Sequence, residues 1–128
     1  MYDISFDEQN RVLTLRQSGF WNLNMVQRYI ADVAAEADRV ARRHGDFSIL
    51  TDNSEFQVQS LDVMEAFMAF TQGAMERNRD RRVAIIVSSA LAKMQVARIS
   101  EGGNVRIFND RAGAMQWLTE NKSGDDHV

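Results

Sequence analysis

A run of five apolar residues, Val83-Ala84-Ile85-Ile86-Val87, stands between Arg81-Arg82 and Ser88-Ser89. It does not alternate with polar positions, and it is short and mostly β-branched. That pattern predicts a strand buried on both faces, as in a parallel sheet covered by helices. Upstream, Tyr2-Asp3-Ile4-Ser5-Phe6 alternates as a half-buried strand does, Asp7-Glu8-Gln9-Asn10 is turn material, and Val12-Leu13-Thr14-Leu15 resumes a strand. The two strands read as an antiparallel hairpin. Gly19-Phe20-Trp21-Asn22 breaks the pattern, with aromatics suited to covering one end of the sheet and Asn22 or Asn24 suited to capping a helix.

From Leu23 to Arg43 apolar residues recur at Leu23, Val26, Ile30, Val33, Ala34, Ala37, Val40 and Ala41, the spacing of one helical face. Gly45 stands where a left-handed C-cap residue belongs, and Arg39, Arg42 and Arg43 suit the negative end of the helix dipole. Phe47-Ser48-Ile49-Leu50-Thr51 predicts the next strand, ending at Asp52-Asn53-Ser54. A second helix follows from the cap Ser60 to about Asn78. Its apolar set (Leu61, Val63, Met64, Phe67, Met68, Phe70, Ala74, Met75) is wider than one stripe, so part of it should face something other than the sheet. After the run at 83–87, Ser88 or Ser89 caps a third helix to about Ser100, and Gly102-Gly103 turns the chain into the alternating strand Val105-Arg106-Ile107-Phe108. Asp110 caps a last helix to about Asn121.

The order is β-β-α-β-α-β-α-β-α, an α/β class with a mixed sheet, parallel after the N-terminal hairpin. At 128 residues the expectation is one domain over 1–122, with a disordered tail over 123–128.

Composition narrows the function classes. Net charge is −3 and charged residues make up 26%, so no global basic field points to nucleic acid. The absence of cysteine removes disulfides, thiol nucleophiles and thiolate metal sites. Met1-Tyr2-Asp3-Ile4 lacks the basic start and apolar stretch of a signal peptide. No segment approaches the roughly 18 apolar residues of a membrane span. The reading is a cytoplasmic protein without integral membrane association.

The element order resembles the STAS fold of the sporulation anti-sigma-factor antagonists, and more closely the bacterial SpoIIAA-like proteins. Val12-Leu13-Thr14-Leu15 with Gly19 and Trp21, Ile49-Leu50-Thr51-Asp52, Val83 to Val87, and Val105 to Asp110 with Ala114 and Trp117-Leu118 carry the resemblance. It covers about residues 2 to 121. Phosphorylated STAS antagonists carry Asp-x-Ser after the third strand and then Asp-Ser-Ser-Gly, whose serine is the switch. Asp52-Asn53-Ser54 matches the first motif. The second aligns near Ser60-Leu61-Asp62-Val63 without Ser-Ser-Gly, so Ser60 reads as a plain N-cap, and Ser54 and Ser60 are the positions a phospho-switch would use.

Ligands of open α/β sheets lie beyond the carboxyl ends of the strands. Here those ends carry Asp52, Asn53, Ser54, Ser88, Ser89, Asn109 and Asp110, which could hold an anion or polar head group, or merely cap helices. Met64, Phe67, Met68, Phe70 and Met75 of the second helix form a candidate apolar interface for a second subunit, a protein partner or a lipid tail, against the plainer reading as core. Arg39, Arg42, Arg43, Arg77, Arg79, Arg81 and Arg82 gather at the opposite end, interleaved with acids as a solvated surface is. His44 and His127 stand apart, and no nucleophile elbow, phosphate loop, dinucleotide fingerprint or metal spacing occurs. The sequence therefore reads as a non-catalytic interaction or regulatory module without cofactor, expected to be homodimeric. A small carrier of a lipid or other amphipathic ligand is the alternative, and a phospho-regulated partner switch the third.

Overall fold

The structure, a computed structural model, describes residues 1–88 and 104–120. Ser89, the helix expected to Ser100, the Gly102-Gly103 turn and the C-terminal tail lie outside the described residues.

Among the described residues five strands form one sheet: β1 (Tyr2–Asp7), β2 (Val12–Gly19), β3 (Ser48–Phe56), β4 (Val83–Ile86) and β5 (Val105–Phe108). They lie side by side in chain order. β1 runs antiparallel to β2 with Ile4 opposite Leu15, and the other pairs are parallel, with Leu13 beside Ile49, Thr51 beside Ile85, and Ile85 beside Ile107. The mixed sheet expected from the element order is present. Three described helices accompany it: α1 (Leu23–His44), α2 (Leu61–Arg77) and α3 (Arg111–Leu118).

Alternation along the strands sends two apolar sets to opposite faces. Leu13, Leu15, Ile49, Val83 and Ile85 pack with Val26, Tyr29, Val33 and Val40 of α1 and Val63 of α2. Val12, Leu50, Ala84 and Ile86 pack with Ala114, Trp117 and Leu118 of α3. The run at 83–87 is buried throughout because both faces of β4 are covered.

Two strands outrun their expected ends. β2 continues through Arg16-Gln17-Ser18 to Gly19, and β3 through Asp52-Asn53-Ser54 to Phe56. The polar halves pair with each other: Arg16 lies beside Asp52 and Ser18 beside Glu55, so Gln17 faces two residues of β3 across a bulge. Beyond Asp52, which pairs with Ile86 near the end of β4, the two strands project together.

α1 starts where Asn22 accepts the Met25 N–H at 2.9 Å. It stops at Gly45, whose φ of 80° and ψ of −132° fall in a region essentially reserved for glycine, not in the left-handed helical basin expected of a C-cap. Five of the seven arginines gathered at this end have an acid partner: Arg39 with Glu36, Arg42 with Asp38, Arg79 with Glu76, Arg81 with Asp46, and Arg82 with Glu120. The exposed pairs of Arg39, Arg42 and Arg79 contribute on the order of 0–1 kcal/mol each, which suits solubility.

Candidate interaction surface

In doubly wound sheets a ligand crevice opens where neighbouring crossovers run to opposite faces. Here α1, between β2 and β3, and α2, between β3 and β4, pack on the same face, and the strands succeed one another in order. Neither described crossover creates that switch point. The expected crevice residues that are described lie toward the neighbouring carboxyl ends of β3, β4 and β5, and each has its own local setting. Asp52 is buried at the bulge, where it accepts the Ser54 N–H at 3.0 Å and the Ser54 hydroxyl at 2.7 Å. The Asn53 side-chain oxygen is buried without a partner. Asp110 caps α3 by accepting the Gly113 N–H at 2.7 Å. Ser88 and Asn109 are exposed.

Both candidate switch serines are already engaged. Ser54 lies within β3 rather than at a helix start, with its hydroxyl on Asp52. Ser60 occupies the N-cap position of α2 but makes no cap bond. Its hydroxyl donates to Asp62 at 2.5 Å instead, a contact that holds the Asp62 carboxyl below its ordinary range. A phosphate on either serine would be placed against a carboxylate.

The methionine–phenylalanine surface of α2 divides. Phe67 stacks on Tyr29 and meets Trp21 and Phe56 edge-on or tilted, and Phe70 meets Tyr29 edge-on. These two rings pack against the core and remain half-buried, because α2 lies beside α1 over an aromatic cluster. Met64, Met68 and Met75 are half-buried.

The exposed apolar surface lies elsewhere. Among the described residues the large hydrophobic side chains most open to solvent are Met1 (77%), Phe20 (63%), Leu23 (41%), Val58 (87%) and Leu61 (75%). Topology brings all five to one end of the sheet. Phe20 and Leu23 follow the carboxyl end of β2, Val58 and Leu61 follow that of β3, and Met1 precedes the antiparallel β1, whose Tyr2 lies opposite Gln17.

This collar is held from beneath. Trp21, next to exposed Phe20, is buried among Tyr2, Tyr29, Phe56 and Phe67 at ring separations of 5.1 to 5.9 Å, and its indole N–H donates to the Ser18 carbonyl at 2.9 Å. The buried Gln59 spans the two loops. Its carboxamide oxygen accepts the Trp21 N–H at 2.8 Å, and its amide nitrogen donates to the carbonyls of Gly19 at 2.8 Å and Gln57 at 2.7 Å. Gly19, at φ 80°, turns the chain so that Trp21 points inward. Below it Gln17, fully buried, donates to the Tyr29 hydroxyl, while its own oxygen has no partner. Burial pushes the Tyr29 phenol well above its ordinary range.

The loops carry no charge. Residues 17–27 and 56–61 contain no acidic or basic side chain, in a chain where such residues make up 26%. A charge-depleted apolar centre within a polar surface is the composition of a protein-contact patch. That signal was available in the sequence.

A solved structure matches this arrangement along nearly its whole length. It is an uncharacterized protein from Shewanella loihica PV-4, of the DUF3478 family and with a SpoIIAA-like fold, 19% identical, covering 92% of each chain at a TM-score of 0.64. The fold is SpoIIAA-like. No protein-family model and no curated protein matches the sequence. No described helix is long and apolar enough to cross a membrane.

Proposed function

We propose that this chain is a non-catalytic interaction module that engages a protein through the collar of Phe20, Leu23, Val58 and Leu61. The observation carrying this reading is the gathering of exposed apolar side chains on two uncharged loops at one end of the sheet. Their backbones are fixed by Gln59 and Trp21, so ordering them on binding costs little. A rigid, uncharged apolar tip offers burial and shape, not proton transfer or nucleophilic attack.

A second reading, a small carrier of a lipid or other amphipathic molecule, draws on the half-buried Met64, Met68 and Met75 of α2. Native mass spectrometry of the protein isolated gently from its host, beside the Val58→Asp variant, separates the two. The interaction module carries a protein-sized companion that the variant loses. A lipid-sized adduct retained by both forms, with no protein companion, overturns it in favour of the carrier.

A further inference from the structure

Charge on the flanks of the collar distinguishes its two loops. The uncharged stretch 17–27 is bounded by Arg16 and Arg28, and the uncharged stretch 56–61 by Glu55 and Asp62. One loop therefore has a basic border and the other an acidic border. Arg16 and Glu55 pair with each other within the chain. Arg28 and Asp62 are exposed and make no ion pair among the described residues.

A twofold interface requires a patch that complements itself, each contact from one loop to the other occurring twice. Two features of the collar meet that requirement. Its four central side chains bear no charge, and the ion beside them, the Met1 ammonium, donates to the Ser18 carbonyl at 2.8 Å, so apolar residues of two copies meet without stranding an unpaired ion. Its borders are of opposite sign, so rotation by a half-turn sets the basic border of each copy against the acidic border of the other. A patch with a border of one sign would repel its own image.

We infer that the collar is the interface between two copies of this chain, with Phe20, Leu23, Val58 and Leu61 at its centre and Arg28 of each copy facing Asp62 of the other. This rests on the reading of the collar as the docking surface and names its occupant. It moves the expected self-association from α2 to the loops that precede α1 and α2.

Sedimentation equilibrium on the full chain tests it. The wild type is expected at twice the chain mass of 14.6 kDa, and Val58→Asp and Leu61→Asp as monomers with unchanged circular dichroism, since both side chains are exposed. Arg28→Glu and Asp62→Arg alone should each raise the dimer dissociation constant at least tenfold, and the double exchange R28E/D62R should restore most of the loss. A dimer indifferent to Val58→Asp and Leu61→Asp overturns this inference, and a companion protein equally indifferent to Val58→Asp in native mass spectrometry overturns the collar as the docking surface. A wild type that stays monomeric to about 100 µM overturns the second copy as occupant. The docking reading then stands only if Val58→Asp still removes a companion protein in native mass spectrometry. Loss in the single charge variants without recovery in the double exchange overturns the Arg28–Asp62 pairing.

Discussion

The side chain of Gln59 and the backbone of Trp21 join two loops that lie 38 residues apart in sequence, the carboxamide oxygen accepting the Trp21 N–H at 2.8 Å. The same carboxamide donates to Gly19 and Gln57, so one buried side chain serves three backbone groups. Gln59→Ala leaves a buried N–H without its acceptor and two carbonyls short of a donor, and should cost about 2–4 kcal/mol in urea unfolding. Gln59→Glu keeps the acceptor but sets a carboxylate against two carbonyls, and should recover little of that loss.

Gln17 and Tyr29 form a buried polar pair in an apolar setting. Tyr29→Phe alone strands the Gln17 amide and should cost about 1–3 kcal/mol. Gln17→Leu with Tyr29→Phe removes both partners, including the Gln17 oxygen that has none. It should lie within about 1 kcal/mol of wild type, a coupling read directly from a double-mutant cycle in urea.

Burial also makes Tyr29 a source of alkaline sensitivity. Its phenol ionises well above 10.0 in the folded protein and near 10.0 when unfolded, so the unfolded chain releases a proton that the folded chain keeps. This contribution to stability is complete below pH 10 and declines as pH rises above it. Tyr2, raised by its hydrogen bond to Asp32, acts in the same direction. Chemical denaturation between pH 9 and 11 should show a steeper fall for wild type than for Tyr29→Phe, and equal slopes would contradict the assignment.

Two glycines should respond oppositely to alanine. Gly45 has open space around its absent Cβ, but its φ of 80° excludes other residues, so Gly45→Ala should lower stability by about 1–2 kcal/mol for conformational reasons alone. Gly73 lies inside α2, where a Cβ would meet only the mobile end of Arg77 at 3.2 Å. Gly73→Ala should raise stability by about 0.5–1 kcal/mol. Thermal unfolding of the two variants beside wild type checks both signs.

Much of the fold was legible because its strongest signals are apolar periodicities. The five residues from Val83 to Val87 mark a strand covered on both sides, and the spacing from Leu23 to Arg43 marks α1 to within a residue. The carboxyl halves of β2 and β3 were hidden because Arg16-Gln17-Ser18 and Asp52-Asn53-Ser54 have the composition of turns. They are extended because they pair with each other, a contact that local composition does not encode. Strand order was equally out of reach, and with it the absence of a switch point between the two described crossovers. The collar was half legible: uncharged stretches stand plainly in the sequence, but only the fold shows that Trp21 turns inward while Phe20 remains outside.

The succession β1-β2-β3-β4-β5 across the sheet has one more consequence. Each strand meets only an open edge left by the one before it, so no strand has to be threaded between two already joined. The sheet can be laid down in the order in which a ribosome releases the chain, and every intermediate along that route is a smaller version of the same sheet, exposing a single growing edge.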